Sequence, residues 1–159
     1  MTGSNPQKGF ALLIALVLST VAVSITLALT TLAFKGLLLS ASARESQYAF
    51  YAADSALECA LFWDNHAQNR FAYGSSYAGG VACAGIPAYG SDGNIPGVTS
   101  GGTTKYQSGW FTVNGTDCGR ITVYKSSTGE TLLFGDGVNV SCSDLSNPRA
   151  VERGLKASY

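Results

Sequence analysis

The chain falls into two halves by the spacing of its apolar residues. From Phe10 to Phe34 no charged residue occurs and no polar face interrupts the apolar run. At the helical rise this run spans ~37 Å, enough for a hydrocarbon core of roughly 30 Å with some tilt. The helical signal continues past Lys35. Ser40 to Asn69 contains no Pro and no Gly, and good helix formers dominate it. Phe50, Ala53, Leu57, Ala60 and Leu61 recur at helical spacing, which predicts one apolar stripe seeking a partner sheet. Arg44, Tyr48, Tyr51, Ser55, Glu58 and Phe62 trace a neighbouring mixed face. Gly36 lies between the two halves as a mild hinge, at ~1 kcal/mol of helix stability relative to Ala. A continuous helix over 10–69 would be about 90 Å long, too long to be covered by the small domain that follows.

The period then breaks. Gly74 to Gly102 holds nine glycines and two prolines, which reads as a long loop joining helix to sheet. Beyond it, β candidates follow at Ser108–Asn114, Arg120–Lys125, Glu130–Phe134, Val138–Ser141 and Ala150–Ala157. Ser126-Ser127-Thr128-Gly129 reads as a hairpin turn between two of them. No helical pattern separates these strands, so the sheet is expected to be antiparallel. The fold class expected is α+β: a long N-terminal helix, membrane-embedded in its first half, packed on a C-terminal antiparallel sheet. The corresponding organisation is 1–9 leader, 10–39 hydrophobic helix, 40–69 amphipathic continuation, 70–107 Gly-rich loop and 108–159 sheet lobe.

Charge and cysteines sharpen this picture. Ten Lys plus Arg balance ten Asp plus Glu over 159 residues, so the basic surplus of a nucleic-acid binder is missing. Cys59, Cys83, Cys118 and Cys142 form no CxxC or CxxH pair, which removes the sequence support for zinc and favours disulfides in an oxidising compartment. Four cysteines allow three connectivities. The pairing expected from their placement is Cys118 with Cys142, clamping neighbouring strands, and Cys59 on the helix with Cys83 in the loop. Closing a loop of about 25 residues stabilises by ~3 kcal/mol in the chain-entropy account. The single histidine, His66, sits near the expected helix end, where capping suits a cation. No nucleophile–base set, Walker loop, HExxH or GxSxG occurs, so neither catalysis nor a cofactor is expected. Ser91-Asp92-Gly93-Asn94, and Asp136 and Asn139 with Asp144, are weak calcium candidates with incomplete ligand sets. Asp-Gly and Gly-Asn pairs are more often turns.

Three readings compete for the first forty residues. They are an uncut signal anchor, a secretory signal cut near Ala41-Ser42-Ala43, and a prepilin leader cut between Gly9 and Phe10. The apolar run exceeds the usual 7–15-residue core of a signal peptide. Lys8 is the only flanking cation on the N-terminal side, which places the N-terminus in the cytoplasm and the chain after Lys35 outside.

Gln7-Lys8-Gly9-Phe10-Ala11-Leu12-Leu13-Ile14-Ala15-Leu16 resembles the type IV prepilin signature: a short basic leader ending in Gly, then Phe, then an unbroken apolar helix. Ala49-Phe50-Tyr51-Ala52-Ala53-Asp54-Ser55-Ala56-Leu57-Glu58 resembles the matching stretch of PilX-like minor pilins. Together these cover the first third of the chain. The resemblance implies a pilin-like fold, cleavage after Gly9 by a prepilin peptidase, N-methylation of Phe10, and assembly through residues such as Ile14, Leu16, Leu18, Leu27 and Leu29. It implies other copies, other pilins and the pilus assembly machinery as partners. It places the chain in the inner membrane as a single pass before assembly, and in an extracellular filament afterwards. Major pilins carry Glu at the fifth residue after the cut, where it pairs with a neighbour's charged N-terminus; here that position is Ile14. The resemblance therefore implies the superfamily rather than a place in the filament. The alternative function is a membrane-anchored adhesin or binding module that does not polymerise.

Overall fold

The computed structural model describes residues 7–65 and 69–159. Met1 to Pro6 of the expected leader, and His66, lie outside them. One helix, α1 (Gln7–Asn65), is followed by nine strands: β1 (Tyr77–Ala78), β2 (Ala82–Cys83), β3 (Ile86–Pro87), β4 (Ile95–Ser100), β5 (Thr103–Gln107), β6 (Phe111–Val113), β7 (Asp117–Ser126), β8 (Thr131–Val138) and β9 (Glu152–Ser158). Seven of the strands form one sheet in the order β1-β4-β5-β7-β8-β9, with β6 paired to the first half of β7, and every pairing is antiparallel. β2 and β3 form a separate ribbon. The layout is α+β, with the second half of the long apolar helix packed against the antiparallel sheet. The chain divides into two compact units, one ending at Ser42 and one spanning Ala43–Tyr159.

The helix meets the sheet through its smallest side chains. Ala49, Ala52, Ala53, Ala56 and Ala60 are fully buried. They rest on glycines of β7 and β8. A Cβ added at Gly135 would lie 2.4 Å from the Ala53 carbonyl oxygen, and one at Gly137 would lie 2.1 Å from the Ala53 nitrogen. A Cβ at Gly119 would meet the Ala56 Cβ at 3.3 Å. This close seam corrects the expected apolar stripe. Ala53 and Ala60 are in it and Leu57 and Leu61 border it, but Phe50 is 45% exposed. With no side chain rising from Gly135 and Gly137, the helix backbone settles onto the strand, and only methyl groups fit between.

The expected loop over Gly74–Gly102 is also corrected: it contains β1 to β4, and β5 lies just beyond it. The glycines serve turns and close contacts. Gly93 has φ +65, and a Cβ there would lie 2.4 Å from the Val81 carbonyl oxygen. Side chains from this segment, from Phe71 just before it and from β5 fill the far end of the core. Phe71 and Tyr106 are fully buried and meet edge to face at 5.4 Å. The Tyr106 hydroxyl donates to the carbonyls of Ala72 and Ser75. In the sheet lobe, the separate strands expected at Glu130–Phe134 and Val138–Ser141 are one strand up to Val138, because alternation continues through Gly135 and Gly137.

The C-terminal end of α1 is fixed by a buried charge. Asp64 Oδ2 accepts from Lys125 Nζ at 2.7 Å and from the Tyr159 hydroxyl. Lys125 Nζ also donates to Thr131 Oγ1 at 2.8 Å. Burial, together with the bond to Asp64 and its charge, pushes the Tyr159 phenol up from 10.0 to about 12. A phenol whose folded pKa is raised contributes stability that is complete below its ordinary pKa and lost as pH rises through the folded one. Stability to urea is therefore expected to fall between pH 10 and about 12. In Tyr159→Phe that loss should shrink, while stability at neutral pH drops by about 1 kcal/mol for the missing hydrogen bond. Equal slopes in the two proteins over this window would remove Tyr159 as the titrating group.

Candidate functional site

The largest chemically uniform surface is the first half of α1. Every residue from Phe10 to Arg44 is exposed, and the large apolar side chains of this stretch range from 43% (Ile14) to 72% (Leu39) exposed. Leu16, Leu18, Leu27 and Leu29 are all among them. The hydroxyls within the run do not present themselves to a partner. Ser19 and Thr20 donate to the carbonyls of Leu16 and Val17, and Ser24, Thr26 and Thr30 to those of Thr20, Ala22 and Thr26. Thr31 donates to Leu27 and Ala28. Back-bonding of this kind hides polarity inside the helix, so the outer surface behaves as apolar throughout. By length and composition the helix is long enough and apolar enough to cross a membrane. Gly36 interrupts nothing; the helix continues through it, and no atom lies within 4 Å of a Cβ built there. Gly9 lies within the first turns of α1 and Phe10 follows it, 69% exposed.

The cysteines are joined as Cys59–Cys83 and Cys118–Cys142, with Cα–Cα separations of 5.6 and 5.1 Å. The first ties α1 to β2. It is reinforced by the Trp63 indole, which donates to the Ala82 carbonyl at 2.9 Å. The second ties the start of β7 to the segment after β8.

The calcium candidates are not assembled. Asp136 Oδ2 accepts from Arg120 at 2.8 Å. Asn139 bridges α1 and the loop before β9, donating to Glu45 and to the Arg149 carbonyl while accepting from the Val151 amide. Asp144 accepts from Asn147 within its own turn. Each of the three is engaged by a different partner. Ser91 donates to Asp92, and Asn94 accepts from the Gly80 amide, so that segment is a turn. No group of three or more His, Cys, Asp or Glu able to hold a metal occurs among the described residues.

A second surface was not legible in the sequence. A groove of about 640 Å³ runs between the outer face of α1 and the turn joining β6 to β7. Glu45, Tyr48, Tyr51 and Asp54 line it from the helix, and Asn114 and Asp117 from the turn. Asp117 is only 9% exposed. Burial pushes its carboxyl up from the ordinary range, the Thr116 hydroxyl opposes that, and the nearby Glu45 charge adds to it. Tyr48 already carries a cation on its ring, with the Arg44 guanidinium 5.7 Å from the ring centre. The helix residues and the turn residues lie sixty or more positions apart in the chain, so no local motif announces that they meet.

No family model, no curated protein and no solved structure matches this chain.

Proposed function

We propose that the chain is a structural subunit, a pilin or minor pilin, of a type IV pilus or related surface filament, assembled through the first half of α1. One observation carries the reading: a charge-free, fully exposed apolar helix runs without a break into the amphipathic helix that anchors the sheet domain. A discarded signal or a simple tether has no need of that continuity. In a filament, by contrast, it joins each domain directly to a helix buried among neighbours. Burying apolar area contributes roughly 25 cal/mol per Å², and internally satisfied hydroxyls allow that burial without stranding polar groups. Before assembly the same segment resides in the inner membrane, with the domain outside the cytoplasm, where its disulfides persist. The resemblance at Gly9 and Phe10 supplies the processing step: a prepilin peptidase removes the leader and Phe10 becomes the N-methylated mature terminus.

Mass spectrometry of the mature N-terminus, on protein taken from the native envelope, tests this. Phe10 is the expected first residue. An intact Met1 or Thr2 would favour an anchored binding module that does not polymerise. A start at Arg44 would mean ordinary secretion and end the filament reading.

A further inference from the structure

The chain holds two tripeptides of the form Asn-x-Ser/Thr, Asn114-Gly115-Thr116 and Asn139-Val140-Ser141. This is the acceptor pattern for saccharide transfer to asparagine, and it serves where the side-chain amide lies within reach on a surface loop. By pattern alone the two sites are equal. The fold separates them.

Asn139 is committed to the domain itself. Its amide nitrogen donates to Glu45 at 2.6 Å and to the Arg149 carbonyl at 3.3 Å, and its oxygen accepts from the Val151 amide at 2.6 Å. Both amide hydrogens are therefore taken. A saccharide there would break the bridge between α1 and the loop before β9. The Ser141 hydroxyl is engaged as well, with Ser143 at 3.0 Å.

Asn114 is the opposite case. β6 and β7 pair through Val113 and Asp117, which leaves residues 114–116 as the turn between them. All three are exposed. Asn114 has φ +52 and Gly115 φ +84, a left-handed backbone that these two residue types tolerate best. That requirement uses only the backbone. An asparagine in a turn often bonds a nearby backbone group, yet the Asn114 side chain makes no hydrogen bond among the described residues. The turn geometry does not call for Thr116 either. Its Oγ1 lies 3.4 Å from Asp117 Oδ1, long for a bond between two oxygens, so the hydroxyl is open to an outside partner. No atom lies within 4 Å of a Cβ built at Gly115, which leaves the turn unobstructed between the two side chains.

We propose that Asn114 is an N-linked glycosylation site and that Asn139 is not. The co-reactant is a saccharide carried on a membrane lipid through a pyrophosphate. Asn114 Nδ2 forms a bond to the anomeric carbon. The bond from that carbon to the pyrophosphate oxygen breaks, and the lipid pyrophosphate leaves with the electron pair. One amide proton is released, so neither oxidant nor reductant is needed. Thr116 supplies the hydroxyl by which a transferase recognises the acceptor. The site rests on the domain lying outside the cytoplasm, which the filament reading and the anchored alternative share.

The test is peptide mapping by mass spectrometry of the full chain taken from its native envelope. After reduction, trypsin releases Asn114 in the peptide 106–120 and Asn139 in the peptide 126–149. The expected result is a saccharide mass on Asn114 and a bare Asn139. Thr116→Ala and the nearly isosteric Asn114→Asp should each lose the saccharide, whereas Thr116→Ser should keep it. Recovery of the Cys118–Cys142 link from unreduced protein confirms that each variant folds. A bare Asn114 peptide, or Asn114 converted only to aspartate or isoaspartate, overturns the site. A saccharide on Asn139 instead, or one on Asn114 that survives Thr116→Ala, overturns it too. The same sample reports the first residue of the chain. A bare Asn114 on a chain beginning at Phe10 overturns the site and leaves the filament reading intact. A saccharide on Asn114 of a chain that keeps Met1 supports the site and removes the filament reading.

Discussion

Replacing Gly137 by alanine is expected to abolish the stable fold of the C-terminal unit. The added Cβ would lie 2.1 Å from the Ala53 nitrogen, 2.4 Å from the Ala49 carbonyl oxygen and 2.7 Å from the Ala52 carbonyl carbon. All three are backbone atoms of one helix, so no side chain can turn aside. The helix itself must lift, and lifting it opens the whole row from Ala49 to Ala60. Overpacking absorbed by side chains costs about 1–3 kcal/mol. Here the cost should exceed that range and consume a large share of the roughly 5–15 kcal/mol that holds a domain together. Gly36→Ala is the control. Nothing lies within 4 Å of its Cβ, and replacing Gly in an exposed helix should stabilise by about 1 kcal/mol. Thermal unfolding followed by circular dichroism, with trypsin sensitivity at 25 °C, reads both changes. An unaltered midpoint for Gly137→Ala would mean that the helix does not rest on β8.

Leu29→Asp is expected to stop assembly, whereas Ile14→Ala should be tolerated. Leu29 sits well inside the charge-free run and is 62% exposed, and the neighbouring Thr26 and Thr30 hydroxyls already donate to backbone carbonyls. An unpaired aspartate in a membrane helix costs about 2.5–3.5 kcal/mol at the bilayer centre on insertion scales, and among packed helices it would be buried without a partner. Ile14→Ala removes three carbons and no charge. At roughly 0.8 kcal/mol per buried methylene that is about 2.4 kcal/mol of packing if the site is fully buried, but no unpaired charge is left among the helices, and Ile14 makes no ion pair that could be lost. Filament counts by electron microscopy, set against the amount of mature subunit in the membrane, separate the two variants. Filaments at the natural level from Leu29→Asp would show that this segment is not the assembly surface. If Ile14→Ala alone removed them, the position would have a specific role despite lacking a carboxylate.

The long helix and the sheet were legible because each writes its period locally. A charge-free run can only be membrane or packed interior, and alternation from Arg120 to Lys125 can only be a strand with one buried face. The disulfide pairing was also within reach, since placing Cys118 and Cys142 on neighbouring elements leaves Cys59 and Cys83 together. The buried face of the helix was harder to read. Hydrophobicity ranks Phe50, Leu57 and Leu61 above alanine, and the sequence of the helix does not say how near its partner will come. Gly135 and Gly137, some eighty residues later, set that distance and made alanine the residue that fits. The Gly-rich segment misled for a related reason. Glycine breaks a period on paper, yet at Gly93 and Gly97 it permits backbone contacts that carry strands.

What the sequence determined by itself is therefore whatever depends on neighbours within a few residues: helix continuity, strand alternation and the apolar run. Tertiary structure alone decided which side chains meet across long separations. It committed Asp136, Asn139 and Asp144 to three different partners and tied Asp64 to Lys125 and Tyr159. It also brought Glu45 and Asp117 to one groove. The physical reason is that a carboxylate's role follows from the charges and donors within a few ångströms of it, and for Asp64 and Glu45 those come from residues sixty to a hundred positions away.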